Sequence, residues 1–177
     1  MNADTLPARK RDNAAAVVLA AAPRQYLSFT LGDELFAVPI APIREIIEFA
    51  GLTEIPLTPP FMRGVINLRG AVVPVIDLSV RFERERTAIG RRSCVVIVEV
   101  TLEDGVHPLG VIVDAVNEVL EVEPDRIEPR PGFGAGLRDD FVAGMLSLDG
   151  RFVVVLDLEC VLSPAELEQL VGACATN

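Results

Sequence analysis

A single histidine, three cysteines and a surplus of carboxylates are the groups in this 177-residue chain that could do chemistry. His107 stands between Val106 and Pro108 with no nucleophile or acid at catalytic spacing, so it reads as a structural imidazole rather than a general base. Cys94, Cys160 and Cys174 have neither CxxC spacing nor a clustered histidine. They give no zinc signature and no disulfide framework, and they suit a reducing compartment. The glycines Gly132, Gly134 and Gly136 spell GFGAG but follow Pro129 and Pro131 instead of a strand, so a mobile surface loop is expected there and not a phosphate cradle. Asp139-Asp140, and Asp114 with Glu118, are carboxylate pairs of the kind any acidic chain contains. The pattern predicts no catalytic centre and no metal site.

One charged residue is placed more tellingly. Arg69 lies in Asn67-Leu68-Arg69-Gly70, and the same four positions recur 80 residues later as Ser147-Leu148-Asp149-Gly150, with an anion replacing the cation. The second is an Asp-Gly hairpin signal. The first puts a planar donor fork at a rigid turn, a form enriched at protein–protein hot spots. A solvated charge in a turn is the equally open alternative.

Those turns belong to a repeat. Phe61 to Leu78 (FMRGVINLRGAVVPVIDL) and Phe141 to Leu158 (FVAGMLSLDGRFVVVLDL) agree at 8 of 18 positions without a gap. Upstream, Phe36–Glu48 matches Leu109–Glu121, 73 residues apart, sharing Val38/Val111, Glu45/Glu118 and Glu48/Glu121. Repetition on this scale marks duplication of one supersecondary unit. Asp77 and Asp157 fall in the same register at the ends of equivalent strands. They are read as structural carboxylates bonded to N–H groups of the following turn.

The chain is long enough to bury about 70% of its unfolded surface, and no apolar run approaches the roughly 18 residues of a membrane span. A net charge of −10 argues against nucleic acid or an anionic membrane as partner. Residues 1–24, with an Ala-rich stretch Ala14 to Ala22, read as a disordered leader. Strands are predicted at Tyr26–Leu31, Leu35–Ile40, Val72–Leu78, Cys94–Leu102, Val106–Val113 and Arg151–Leu158. Short helical turns are expected at Pro42–Glu48, after Pro59-Pro60 and at Pro124–Ile127. Phe82–Arg92 is charged and reads as a linker, dividing subdomain one (about 25–82) from subdomain two (about 93–162). Ser163-Pro164-Ala165-Glu166 is a capping box opening a C-terminal helix within 163–171. A mostly β fold of two small five-stranded barrels with a groove between them follows.

Taken in order, YLSFTLGDELFAVPI, IREII, PPFMRGVINLRGAVVPVIDL, VVIVEV, LGVIVDAVNEVLEV and MLSLDGRFVVVLDLECVL resemble the CheW-like chemotaxis coupling proteins, from about Tyr26 to Leu170. The resemblance implies two intertwined SH3-like barrels, no cofactor, and a cytoplasmic adaptor recruited to membrane receptor arrays without membrane insertion. It implies two partners, methyl-accepting chemoreceptors and the regulatory domain of the histidine kinase CheA. Ile43, Glu45 and Arg69 fall on positions associated with receptor contact. Val111, Val113 and Val119 are expected at the kinase face, with Phe133 as an assembly contact or, equally, folded back onto its own core. Pro39-Ile40-Ala41-Pro42 departs from the common family pattern. A second reading therefore stands beside the first: a specialised coupling protein of a parallel, non-flagellar chemosensory pathway.

Overall fold

The computed structural model describes residues 22–129 and 139–175. The leader, apart from its last residues, and the GFGAG segment with Phe133 lie outside them. Ten strands are described: β1 (Arg24–Leu31), β2 (Glu34–Pro39), β3 (Ile43–Glu48), β4 (Met62–Leu68), β5 (Ala71–Asp77), β6 (Cys94–Leu102), β7 (Gly105–Val113), β8 (Ala115–Val122), β9 (Val142–Leu148) and β10 (Arg151–Leu156). Three helices join them: α1 (Leu78–Arg81), α2 (Leu158–Val161) and α3 (Pro164–Ala175). Pro124–Arg126 forms a 3-10 turn where a turn was expected. The expected C-terminal helix is present and runs longer than the capping signal alone marked.

The strands form two five-stranded sheets, ordered β8-β1-β2-β10-β9 and β3-β6-β7-β5-β4. Replacing each strand by its repeat equivalent turns the first order into the second. Each sheet takes its leading hairpin from one copy and its remaining three strands from the other, so neither coincides with residues 25–82 or 93–162. The exchange happens where a strand leaves one sheet and runs on into the other. Between β2 and β3 only Ile40–Pro42 intervene, with the Ile43 amide donating to the Ile40 carbonyl at 2.9 Å. Between β7 and β8 only Asp114 intervenes, its amide donating to the Thr30 carbonyl at 3.0 Å. Each sheet also holds one parallel pairing among antiparallel ones, β2 with β10 (Phe36 against Val154) and β5 with β7 (Ile76 against Val111).

The segment Pro42–Glu48, expected as a helical turn, is mostly the strand β3. Ile43, Ile46 and Ile47 are β-branched, and Glu45 to Glu48 pair antiparallel with Ile97 to Cys94 of β6. Sheet pairing outweighs the helix-start signal of a lone proline.

Burial explains why the inner strands read as unbroken Val/Ile/Leu runs. One core lies between the sheets and holds Leu27, Phe29, Phe36, Ile76, Val98, Val111, Val113 and Leu156. Each sheet also encloses its own smaller core, around Leu120, Val153 and Val155 in one and Val73, Val95 and Ile112 in the other. Central strands thus bury both faces, which removes the polar alternation of a half-exposed strand.

The edges of each sheet are spanned by a short crossing segment. Thr53 exchanges two backbone hydrogen bonds with Val65 at 2.8–2.9 Å, and Glu128 does the same with Met145 at 2.8 Å. The crossing passes so close that a Cβ on Gly64 would strike the Thr53 carbonyl, and one on Gly144 would lie 2.8 Å from the Glu128 oxygen. That close approach is why both copies keep glycine there.

Phe82–Arg92, expected as a linker, is built into the molecule at two points, the buried Phe82 and Thr87. Phe82 is 3% exposed, and its ring lies 5.6 Å from that of Phe36 and 5.8 Å from that of Phe141. The charge of the segment is on its surface side; the aromatic at its start answers to the central core. Beside it, the Arg81 guanidinium lies 5.0 Å from the Phe61 centroid and 5.1 Å from that of Phe141, the two equivalent phenylalanines of the repeat. It also donates to the Val161 carbonyl at 2.9 Å and pairs with Glu166 at 2.8 Å, fixing α3 to the body. Phe82→Ala should cost about 3–5 kcal/mol, the range for a core phenylalanine, and lower Tm by roughly 10 °C in a chain of this size. A thermal melt checks this; a shift within 2 °C or so would return the segment to linker status.

Candidate interaction site

Asp77 and Asp157 end their strands as helix N-caps. Asp77 Oδ1 accepts from the Ser79 amide at 3.0 Å, and Asp157 Oδ1 from the Glu159 and Cys160 amides at 3.1 and 3.3 Å. Their partners are the N–H groups of the following turn, as the register suggested. Asp77 does more: it also accepts from the Thr87 hydroxyl at 2.8 Å and the Thr87 amide at 2.9 Å, and pairs with Arg63 at 2.7 Å. This cluster is interior and holds the fold.

The Arg69 turn faces outward. Arg69 and Gly70 both have positive φ, 53° and 87°, the backbone of a two-residue hairpin turn whose twist suits the flanking strands. Asn67 Oδ1 accepts from the Gly70 amide at 3.0 Å and locks the turn. From this base Arg69 donates through both terminal nitrogens to the two carboxylate oxygens of Glu45, each at 2.8 Å. Since β3 and β4 are the edge strands of their sheet, the pair joins the β4–β5 turn to the opposite edge. The Arg69 side chain stays 74% exposed, so its outer face is open to a partner.

Electrostatics follow the geometry. The hydrogen-bonded Arg69 guanidinium holds the Glu45 carboxyl below its ordinary value of 4.5, and Glu45 in turn raises Arg69. A carboxyl whose pKa is depressed by folding contributes stability above its unfolded pKa and loses it as pH falls through the folded one. The Glu45 side-chain carbon resonance should therefore titrate with a midpoint below 4.5, and Arg69→Ala should move it up toward that value. A midpoint at or above 4.5 in the unmodified protein would show that the pair does not form in solution.

Of the apolar residues expected beside this rim, Ile43 is half-buried against the central core. Residue-pattern reasoning missed Ile46 and Val72, which are 41% and 49% exposed on β3 and just after the turn. No signal in the sequence marks them, because exposure of a β-branched residue depends on what covers its strand.

The expected kinase face needs correction. Val111 is 4% exposed and Val113 fully buried; both pack in the central core, so neither side chain presents a surface. Val119, on the edge strand β8, is 52% exposed and remains available. His107 Nε2 lies 2.7 Å from Asp104 Oδ1 at the tip of the β6–β7 hairpin, and that hydrogen bond lowers the Asp104 carboxyl. Asp114 and Glu118 do not converge: Asp114 Oδ2 accepts from the Gly32 amide. Among the described residues no three His, Cys, Asp or Glu side chains are grouped to hold a metal, and no helix is long and apolar enough to cross a membrane.

A duplicated β module with exchanged hairpins, and a charged turn presented on its rim, defines a class of interaction domain. The chain belongs to the CheW-like domain family, whose description matches residues 25–166. It is 34% identical over 144 residues to the chemotaxis protein CheW of Klebsiella aerogenes, covering 81% of this chain and 84% of that one. It is 35% identical to the probable chemotaxis protein CheW of Rhizobium etli, covering 82% and 91%. The crystal structure of the scaffolding protein TtCheW from Thermoanaerobacter tengcongensis superposes with a TM-score of 0.70 at 33% identity, covering 80% of this chain and 88% of that one.

Proposed function

We propose that this chain is a non-catalytic scaffold of chemotaxis-type signalling that couples the cytoplasmic tips of chemoreceptors to the regulatory domain of CheA. The observation that carries this reading is the Arg69–Glu45 rim: a bidentate pair, three-quarters exposed at its cationic end, on a rigid turn of a CheW-like fold. A helical receptor hairpin would lay its apolar stripe along this edge while the charges fix its register. Ile46 and Val72 supply exposed apolar area nearby, and Ile43 braces the strand from inside. On the kinase side the reading retains Val119 and, outside the described residues, Phe133. The acidic surface suits protein partners better than nucleic acid. Sedimentation of the purified protein with receptor-containing membranes, with and without kinase, tests the reading. Coupling predicts capture by the membranes alone and greater kinase recruitment when the protein is present; failure of both removes the adaptor assignment.

A further inference from the structure

The two halves of the molecule are equivalent at the hairpin rim but opposite in charge. Glu118 of β8 corresponds to Glu45 of β3, and Asp149 to Arg69. Asp149 and Gly150 have φ of 51° and 78°, nearly the backbone of Arg69 and Gly70, so the two turns present their side chains alike. In one sheet the rim is latched by a guanidinium seated on a carboxylate. In the other, the equivalent turn residue is the short, acidic Asp149 and no guanidinium is supplied from the turn. Glu118 engages Ser28 through its backbone only, and the Glu118 and Asp149 carboxylates have no ion pair or hydrogen bond among the described residues.

The missing latch leaves an open cleft of about 580 Å³ between β8 and the β9–β10 turn. Its charged lining is Asp33, Glu118 and Asp149 against one cation, Arg151, which forms no ion pair among the described residues. Leu35, Leu148 and Val153 give it an apolar side. A carboxylate with both oxygens free accepts a planar fork, and an apolar wall takes the methylene stem behind it. Lysine, a point charge, would match this seat less well.

We propose that this cleft receives an arginine carried on a turn of a separate protein chain, seated over Glu118 as Arg69 is seated over Glu45. The site is on the other sheet from the Arg69 rim and does not depend on the receptor assignment. The molecule itself supplies the template, since the same turn, strand and glutamate hold an arginine 2.8 Å away in the other half.

The test uses the full chain and a cyclised hairpin peptide copying its residues 64–75, together with a counterpart in which the arginine is glutamate. Amide shifts report the contact. The arginine peptide should move Ser28, Thr30, Glu118 and Asp149 saturably, and the glutamate peptide should bind at least about tenfold more weakly. Asp149→Arg should reproduce the internal latch, raise Tm and lower affinity for the peptide by about tenfold or more. Should that variant misfold, Glu118→Gln is expected to weaken binding without closing the cleft. No saturable shift, shifts centred on Glu45 instead, or unchanged binding by both variants would overturn the proposal.

Discussion

Reversing the charge at Arg69 is expected to abolish recruitment to receptor membranes while leaving the fold intact. The two effects separate because the residue is 74% exposed and its pair with Glu45 is a surface one. Such solvent-screened pairs contribute little to stability, so Arg69→Glu should shift Tm by only a few degrees. Binding is another matter. A turn-borne arginine at an interface centre is typically worth about 30-fold or more in affinity, and reversal adds repulsion beside Glu45. Exchanging both charges, Glu45→Arg with Arg69→Glu, rebuilds the pair in the opposite sense. If the partner reads Arg69 itself, the exchanged protein stays unbound. Full recovery of sedimentation by the exchange would mean that the pair only braces the rim, and the contact would have to lie elsewhere.

Asp77→Ala should cost about 3–5 kcal/mol, as much as the loss of the Phe82 ring, because it leaves a largely buried cation without its counter-ion. Asp77 is fully buried and accepts four hydrogen bonds, from Ser79, both donors of Thr87, and Arg63. The Arg63 side chain is only 12% exposed and its Nε is buried with no partner among the described residues, so what remains for the guanidinium is the Thr87 carbonyl at 3.2 Å. Losing the carboxylate also releases Thr87 and with it the segment that Phe82 begins. A Tm lower by roughly 10 °C follows for a chain of this length. Asp157→Ala is the internal control. Its carboxylate is half-exposed and caps only two amides, so the cost is that of an ordinary N-cap, about 1 kcal/mol. Equal losses at both positions would show that the Arg63–Thr87 network adds nothing, and loss of partner binding at unchanged Tm would make Asp77 a contact residue.

The contrast between these two aspartates marks how far residue patterns reach. Their shared register, their place after an apolar run and their need for amide partners were all legible, because a helix cap is settled within a few residues of the chain. Arg63 and Thr87 were not, since the repeat puts Ala143 opposite Arg63 and nothing local ties Thr87 to a residue 10 positions earlier. The turn at Arg69 was legible for the same local reason as the caps. Whether its fork closed on Glu45, 24 residues away, on solvent or on a partner stayed open until both edge strands were placed.

By itself the sequence determined the duplication, the hairpins with their Gly turns, the equivalence of Glu45 with Glu118 and of Arg69 with Asp149, and the mostly β character. Each is written in spacing and residue type, which act over one turn or one strand. Tertiary structure alone decided which sheet each strand joined. Alternation of period two says that a segment is extended but not what pairs with it, and Pro42–Glu48 became β3 only because β6 was there to receive it. It also decided what was covered: Val111 and Val113 look like any exposed β-branched pair, yet a second sheet closes over them, while Val119 a few residues on keeps an open face. Burial on both sides of a strand is a property of the whole packing, summed over contacts far apart in the chain, and no single window of residues contains it.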